Sequence, residues 1–168
     1  MKINSIRIGT AQFGSKYGIS NTSDRVNYNE IEKILEFSET VNINKIDTAF
    51  NYGNAEEILG KIGVSKWNIQ SKILINHKFE KLLYDNIKRN VDKSLDKLKV
   101  NKIENLLLHS EEQLIQSKKE YIYDILINLK KEGYISNYGV SFYDPKKLLK
   151  TLNNFKIDVI QIPINIFD

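Results

Sequence analysis

The sequence predicts an α/β protein in which short strands alternate with longer helices along one continuous domain. Short apolar runs, typical of buried strands, are separated by segments with the 3.6-residue period of amphipathic helices, a pattern that favours a parallel sheet with helical crossovers. No linker or low-complexity tract interrupts the series. The 168 residues, 41% of them hydrophobic, suffice for one ordinary core. We therefore expect a single domain over residues 1–168.

The first unit begins with a strand over residues 5–10. A glycine-rich loop, residues 11–18, leads from this strand towards a helix that begins near Asn29. Apolar residues recur along that helix with helical spacing, which predicts one buried face. The predicted face contains Ile31, Ile34, Leu35 and Phe37.

The second and third units follow the same plan. A strand at residues 45–49 precedes a short helix at residues 55–62, which Gly63 is predicted to end. A strand at residues 67–73 then leads to the longest helix, whose apolar residues recur at intervals of three and four. These residues are Leu83, Ile87, Val91, Leu95 and Leu98.

The last three predicted strands cover residues 103–108, 138–141 and 157–164. A helix lies between the first two of them, and Gly133 is predicted to end it. Asp144 and the proline after it supply an N-cap and a first-turn residue for the helix that precedes the sixth strand. The chain therefore contains six predicted strands and five predicted helices.

Six strand–helix units match part of a closed barrel. A (β/α)8 TIM barrel has eight such units, normally needs about 200 residues or more, and carries its reactive groups at the carboxyl ends of its strands. The alternation here follows that plan but stops two units short. The sequence therefore predicts a (β/α)8 TIM barrel that is truncated after the sixth strand.

The composition narrows the class of partner. The net charge is +4, but positive and negative residues are interspersed, which argues against a nucleic-acid partner. Nowhere do about 18 apolar residues run together and no secretion signal opens the chain, so we expect no membrane partner and a cytoplasmic protein. The absence of cysteine and the presence of two histidines argue against a metal centre.

Four residues with proton-transfer chemistry fall at the ends of three successive predicted strands. Asp47 and Tyr52 follow the second strand, Lys72 lies at the end of the third, and His109 ends the fourth. Singly, each has a commoner structural explanation: a loop cap, a rim aromatic, a surface lysine or a core histidine. Because the carboxyl ends of parallel strands meet at one face of a barrel, together they predict one site. His77, in a polar loop, is predicted to be a surface residue.

These residue types suit the reduction of a carbonyl group. Tyr52 would protonate the carbonyl oxygen while a hydride reaches the carbon, although a free phenol with a pKa of about 10 is a reluctant proton donor. A neighbouring Lys72 ammonium would lower that pKa, Asp47 would hold the lysine charged, and His109 would hydrogen-bond the carbonyl oxygen. Each of the four groups needs its neighbours.

Several segments, in order along the whole chain, resemble the aldo/keto reductase superfamily. The most specific of them is residues 46–56, Ile-Asp-Thr-Ala-Phe-Asn-Tyr-Gly-Asn-Ala-Glu. The other matching segments are residues 8–14, the strand ending at Lys72, residues 94–98 leading into 106–109, residues 133–141 and residues 157–165. The later segments are individually weak and gain weight from their order and spacing.

The resemblance implies an NADPH-dependent reductase that converts aldehydes or ketones to alcohols, with NADH as an alternative cofactor. In this resemblance Tyr52 is the acid, Lys72 and Asp47 tune it, and His109 orients the carbonyl group. Gly9, Thr10, Ala11 and Asp47 would lie near the nicotinamide ribose, and Ser141 and Gln161 would hydrogen-bond the carboxamide. The resemblance also implies a small-molecule carbonyl substrate and a full-length protein that is a monomer or a weak oligomer.

Two departures from the family pattern affect the cofactor site. Residues 141–143 read Ser-Phe-Tyr where many members have Ser-Asn, which changes one expected carboxamide contact. The seventh and eighth family units, which supply the aromatic that stacks on the nicotinamide, the pyrophosphate loop and the basic residues around the 2′-phosphate, have no counterpart in these residues. We therefore expect about half of a cofactor site.

Residues 9–18, 140–143 and 163–168 resemble a bacterial branch of the family that is often associated with surface-sugar biosynthesis. A sugar intermediate is therefore one candidate substrate. The alternative is a non-catalytic cofactor-binding or regulatory protein on the same fold. An unrelated sugar isomerase or lyase would also place lysine and histidine at strand ends, but it gives no reason for the pairing of Asp47 with Tyr52. Because six strands leave two sheet edges open, we expect the 168-residue chain to be inactive alone.

Overall fold

A computed structural model of the chain describes residues 6–18, 24–75, 83–114 and 119–164. Six parallel strands form one curled sheet in chain order. The strands are β1 (Ile8–Gly9), β2 (Lys45–Asp47), β3 (Asn68–Ile73), β4 (Ile103–Leu108), β5 (Ile135–Ser141) and β6 (Val159–Gln161). Sequential parallel pairing with helical crossovers is the topology of a (β/α)8 barrel, so the predicted fold class is confirmed as a half-barrel of this type.

Five longer helices alternate with the strands, as predicted. Within the described part of the chain the α-helices are α1 (Ala11–Gly14), α2 (Tyr28–Thr40), α3 (Ala55–Ile62), α4 (Leu83–Leu98), α5 (Lys119–Lys131) and α6 (Pro145–Asn154). The short helix α1 and a 3-10 turn at Glu111–Leu114 occupy segments predicted as loops. His77, predicted to be a surface residue, lies outside the described residues.

Local capping explains where several helices begin and end. The Asn27 side chain accepts a hydrogen bond from the Glu30 backbone N–H at 3.0 Å and so begins α2. The Asp144 side chain accepts from the Lys146 backbone N–H at 2.8 Å and begins α6. Gly63 ends α3 with a φ of +100°, the left-handed conformation that glycine adopts readily.

The outer strands are shorter than predicted and β5 is longer. The strands β1 and β6 cover two and three residues, against predictions of residues 5–10 and 157–164. Within the described residues each of them pairs with one neighbouring strand only, so it extends only as far as its hydrogen bonds to that neighbour. The strand β5 begins at Ile135 because that residue pairs with Ile103 of β4.

Two apolar clusters fill the layer between the sheet and the helices. The first lies under α2 and α3 and includes the fully buried Ile31, Ile46 and Leu59. The second lies under α4 and α5 and includes Leu106, Leu108, Ile125 and Leu129. Side chains alternate along a strand, so alternate residues point into these clusters while those between them point into the barrel.

The predicted apolar face of α2 is partly wrong. Ile31 and Leu35 are buried, but Ile34 is 37% exposed and Phe37 is 68% exposed. Ile31 and Leu35 pack into the first apolar cluster, whereas Ile34 and Phe37 lie outside it. The 3.6-residue period therefore identified an apolar face of α2 that is wider than the face buried in the described chain.

Candidate active site

The backbone brings four predicted site residues to one end of the sheet. Asp47 is the last residue of β2, Lys72 is the penultimate residue of β3, and His109 follows β4. Tyr52 lies in the loop between β2 and α3. Parallel register aligns these strand ends, since Asp47 pairs with Gln70, two residues before Lys72.

Two glycines fix the loop that carries Tyr52. A Cβ atom on Gly14 would lie 1.7 Å from the Tyr52 backbone oxygen, and one on Gly53 would lie 2.2 Å from the Gly14 oxygen. Gly53 also has a φ of +58°, in the left-handed region that favours glycine. The peptide after Tyr52 therefore packs directly on the backbone of α1, and its position depends on both glycines.

Lys72 and Asp47 form an ion pair at the floor of the site. Lys72 Nζ lies 2.6 Å from Asp47 Oδ2 and also donates to the Thr48 backbone oxygen at 3.3 Å. The Lys72 side chain is 3% exposed, and that of Asp47 is 16% exposed. Burial lowers the pKa of Lys72, and the negative charge of Asp47 opposes that shift. The carboxylate therefore stabilises a cation that burial alone would disfavour.

Tyr52 is a half-buried phenol beside this ion pair. Lys72 Nζ lies 5.3 Å from the centroid of the Tyr52 ring. Burial, followed by the charge of Asp47, raises the pKa of Tyr52 to about 12. This differs from the predicted lowering by Lys72, because burial and the negative charge of Asp47 both disfavour the phenolate. Tyr52 is consequently protonated at neutral pH, which is the state that a proton donor requires.

His109 contacts the edge of the Tyr52 ring. The two ring centroids are 5.7 Å apart, with an interplanar angle of 77°. Burial lowers the pKa of His109, and Lys72 acts in the same direction while Asp47 opposes it. The imidazole is therefore neutral at pH 7, so it carries a single N–H donor.

Asn51 selects which nitrogen of His109 carries the proton. His109 Nδ1 lies 3.0 Å from Asn51 Oδ1. When Asn51 Oδ1 accepts from Nδ1, His109 Nε2 is an acceptor; when the Asn51 amide is reversed, Nε2 becomes the donor. Asn51 was not among the predicted site residues, and its place directly before Tyr52 is the signal that could have identified it.

Every predicted site residue lines one open cleft of about 430 Å³ at the carboxyl ends of the strands. The cleft extends from β1 to β6. The predicted residues that it contains are Gly9, Thr10, Ala11, Asp47, Tyr52, Lys72, His109, Ser141 and Gln161. Their assembly supports a single site, and their individual roles stay predictions.

The rim of the cleft contains residues that were not predicted. Tyr17 and Tyr143 line it and are 61% and 66% exposed. Gln12 Nε2 donates to the Tyr17 backbone oxygen at 3.1 Å, a hydrogen bond within the segment that follows β1. Loop residues show neither helical nor strand periodicity. The sequence could therefore indicate Tyr17 and Tyr143 only by how closely they follow the first and fifth strands.

The β6 side of the cleft suits an amide ligand. The buried Gln161 Oε1 has no hydrogen-bond partner within the described residues, while Gln161 Nε2 lies 3.4 Å from Asp47 Oδ2. Ser141 is the direct cross-strand partner of Gln161. A Cβ atom on Gly9 would meet nothing within 4 Å, so the floor beside β1 is open. An acceptor without a donor beside an open floor fits the carboxamide of a nicotinamide ring.

Two further findings concern other kinds of site. Over residues 6–18, 24–75, 83–114 and 119–164, no group of three or more His, Cys, Asp or Glu side chains is arranged to hold a metal ion. None of the helices in the same ranges combines the length and apolar character that crossing a bilayer demands.

The sequence comparison agrees with this fold. Residues 5–168 match the model of the aldo/keto reductase family, and the chain belongs to that family. The members of this family are in general oxidoreductases that reduce carbonyl groups and commonly use NAD(P)H. No curated protein sequence matches the chain.

Solved structures show the same fold over a greater length. An aldo-keto reductase from Pseudomonas aeruginosa is 29% identical with a TM-score of 0.77, and the match covers 96% of this chain and 63% of that one. Aldo-keto reductase AKR11C1 from Bacillus halodurans, in its holo form, is 21% identical with a TM-score of 0.75, and the match covers 95% of this chain and 53% of that one. An aldo/keto reductase from Klebsiella pneumoniae in complex with NADP and acetate is 21% identical with a TM-score of 0.65, and the match covers 85% of this chain and 47% of that one. The chain thus spans less than two thirds of the length of these proteins.

Proposed function

We propose that this chain carries the catalytic residues of an NADPH-dependent reductase that converts an aldehyde or ketone to an alcohol. The observation that carries the proposal is the buried ion pair between Lys72 and Asp47 directly beside Tyr52. His109 lies at the edge of the same phenol. A bound nicotinamide cofactor would supply a hydride to the carbonyl carbon, and this chain would supply the proton.

Tyr52 donates that proton. Its O–H bond breaks as the new O–H bond of the alcohol forms, which leaves a phenolate. A unit positive charge about 5 Å away stabilises such an anion by about 3 kcal/mol at an effective dielectric constant of 20, before the opposing charge of Asp47 is counted. Lys72 therefore acts mainly on the product of proton transfer, and the raised pKa of Tyr52 keeps the donor protonated beforehand.

His109 orients the carbonyl group. With the Asn51 amide reversed, so that its nitrogen donates to Nδ1, the proton is on Nε2 and the neutral ring donates a hydrogen bond to the carbonyl oxygen that Tyr52 protonates. The lowered pKa of His109 keeps the ring neutral and so leaves Tyr52 as the acid. The contact between the two rings places both groups on the same side of the cleft.

The cofactor residues are proposed from the cleft and the family resemblance. Ser141 and Gln161 would hydrogen-bond the nicotinamide carboxamide, as the unpartnered Gln161 Oε1 supports. Gly9, Thr10 and Ala11 lie where β1 ends and would contact the ribose. NADPH is the proposed cofactor, and the assay below compares it with NADH.

The proposed substrate is a small carbonyl compound, with a sugar intermediate as the leading candidate. Tyr17 and Tyr143 present apolar faces and hydroxyl groups at the rim, which suits a polyhydroxylated molecule. This choice agrees with the resemblance to the branch associated with surface-sugar biosynthesis. We further propose that residues 1–168 belong to one barrel domain, which acts in the cytoplasm as a monomer or a weak oligomer.

The test measures oxidation of NADPH and of NADH with a panel of aldehydes, ketones and keto sugars. We expect turnover from a chain in which two further strand–helix units complete the barrel. We expect no measurable turnover from the 168-residue chain, because β1 and β6 each have one sheet neighbour in the described chain and the cleft is open beside them. Turnover by the 168-residue chain would contradict the second expectation.

The variant Tyr52→Phe tests the acid assignment. Loss of the phenol hydroxyl should lower kcat about 1000-fold, because a positioned general acid contributes on the order of 10² to 10⁴. Tyr84→Phe, at a half-buried residue of α4 that does not line the cleft, is the matched control and should keep the parental rate. A parental rate in Tyr52→Phe would show that another group supplies the proton. Saturable NADPH binding without turnover on any substrate would favour the non-catalytic alternative.

A further inference from the structure

The inner face of the half-barrel carries a row of amide side chains that ends at Asp47. Gln70 on β3, Asn105 on β4 and Asn137 on β5 are direct cross-strand partners, and Gln70 also pairs with Asp47 of β2. Gln70 and Asn105 are 5% and 6% exposed. Barrel interiors are usually filled by bulky branched side chains. A continuous polar row across four strands is therefore a feature that packing alone does not explain.

The row, which consists of Gln70, Asn105 and Asn137 and is here called the amide row, is hydrogen-bonded in one direction. Asn137 Nδ2 donates to Asn105 Oδ1 at 3.0 Å, and Asn105 Nδ2 donates to Gln70 Oε1 at 3.1 Å. Gln70 Nε2 then donates to Asp47 Oδ1 at 2.7 Å. Each amide of the row therefore donates one hydrogen bond towards the carboxylate, and Asn137 Nδ2 also lies 3.5 Å from Glu104 Oε1.

The amide row and the reaction site use different oxygens of Asp47. Gln70 occupies Oδ1. Lys72 Nζ lies 2.6 Å from Oδ2, and Gln161 Nε2 lies 3.4 Å from the same oxygen. A carboxylate that is held through one oxygen presents the other in a fixed direction.

We propose that the amide row is a positioning device that fixes the Asp47 carboxylate towards Lys72, and that the charge on Asp47 in turn sets the direction of the row. The inference rests on the proposed function, because it deepens the role of the same site. Gln70, Asn105 and Asn137 touch neither substrate nor cofactor in this scheme; they act through Asp47.

The opposite direction of the row has its own stabilising contacts. With the Asn105 amide reversed, its oxygen accepts from Arg7 Nη2 at 3.0 Å and its nitrogen donates to the Glu104 backbone oxygen at 3.1 Å. Reversal also turns Gln70 so that its oxygen faces Asp47. An ionised carboxylate only accepts hydrogen bonds, so it opposes this arrangement. The charge on Asp47 and the guanidinium of Arg7 therefore compete for the orientation of Asn105.

The first test observes the side-chain amide signals of the 15N-labelled full chain by NMR. In the parental chain the NH₂ groups of Gln70 and Asn105 should show the shifts of hydrogen-bonded amides. Asp47→Asn removes the charge, so the signals of all three residues of the amide row should shift together. Tyr52→Phe, which removes the proposed acid, should leave them in place. Amide signals that do not respond to Asp47→Asn would overturn the proposal.

The second test changes the far end of the row. Asn137→Asp replaces the donor by an acceptor, so Asn105 should turn its nitrogen towards position 137 and its oxygen towards Gln70. The titration midpoint of the Lys72 ammonium, followed by NMR, should then fall, because Asp47 is no longer held towards it. Asn68→Asp adds the same charge on β3 outside the amide row and is the matched control. Equal effects of the two variants on Lys72 would overturn the proposal.

Kinetics separates this inference from the proposed function. In a catalytically active longer chain, Gln70→Met should lower kcat about tenfold with little change in KM, and Asn137→Asp should act in the same direction. The NMR measurements need no turnover, so inactivity of a longer chain with a complete barrel would refute the proposed function and leave the amide row testable. An active protein in which Asp47→Asn fails to shift the row would refute only the present inference. If Gln70→Met does not fold, the Asp47→Asn spectrum still decides the question.

Discussion

The two faces of the sheet show different kinds of burial. The outer face is apolar where Leu106, Leu108 and Val140 pack under the helices. The inner face contains Gln70 and Lys72 at similarly low exposure, but their polar atoms are hydrogen-bonded. Because side chains alternate along a strand, one strand serves both faces. The comparison shows that buried side chains on the outer face stabilise the fold by apolar packing. Buried side chains on the inner face are instead held in fixed orientations by hydrogen bonds and ion pairs.

The largest expected effect comes from the ion pair on the inner face. Lys72→Met should lower kcat about 1000-fold, since it removes the cation that stabilises the Tyr52 phenolate. It should also destabilise the fold by about 3 kcal/mol, because it leaves the Asp47 carboxylate without its partner. Urea unfolding and NADPH oxidation measure the two effects.

Leu106→Ala, on the outer face of β4, is the contrasting variant. It should destabilise the fold by a similar amount, about 3 kcal/mol, through the cavity that it leaves. The folded fraction should keep the parental kcat, because Leu106 faces the helices. If Leu106→Ala lowered the kcat of the folded protein as strongly as Lys72→Met, the division of roles between the faces would not hold.

What the sequence could predict follows the same division. The stripe on α4, with Ile87 and Val91, was predictable because burial repeats with the helical period. The grouping of the candidate site residues in one cleft was predictable because residue type and position at a strand end both carry a signal. The amide row was not, since single Gln or Asn residues within apolar runs have no period. Their alignment depends on the register between strands such as β3 and β4, which are far apart in the chain.

Glu56 is where the contrast between the faces is weakest. It lies in the outer layer, is 2% exposed, and accepts hydrogen bonds from Ser71 at 2.7 Å and Ser94 at 3.0 Å. It therefore joins α3, which follows the Tyr52 loop, to the neighbour of Lys72 on β3 and to α4. An outer-layer residue with polar partners links the elements that carry the inner-face site.

The pH dependence of the free energy of unfolding tests whether burial shifts the ionisation of the Glu56 carboxyl in the folded state. Burial raises the pKa of Glu56 above its usual value of 4.5, although the two serine hydrogen bonds and Lys97 oppose the shift. The folded state therefore binds the proton more tightly than the unfolded state, so the stabilisation is greatest below the unfolded pKa and is lost as the pH rises through the folded one. Glu56→Gln lacks this loss, so its stability relative to the parent should increase from pH 4 to pH 8 in urea unfolding.

The exposed neighbour Glu57 supplies the matched control, since Glu57→Gln removes a charge from the same helix without removing a buried carboxyl. Each variant changes the free energy of unfolding relative to the parent. The difference between these two changes at each pH isolates the effect of burial. A stability difference between Glu56→Gln and the parent that stays constant from pH 4 to pH 8 would show that Glu56 has the same pKa in both states.

The smallest expected effect concerns the proton on His109. Asn51→Asp places an acceptor-only group 3.0 Å from Nδ1, so Nδ1 must donate and Nε2 is left as an acceptor. If the proposed donation from Nε2 to the carbonyl oxygen is correct, kcat/KM should fall about tenfold, which is less than the roughly 10² to 10³ that one lost oxyanion donor removes, because Tyr52 still donates to the same oxygen. Asn54→Asp, in the same loop, controls for the added charge. Parental kcat/KM in Asn51→Asp, with Nδ1 shown by 15N NMR to carry the proton, would remove His109 as the carbonyl donor and leave Tyr52 alone in that role.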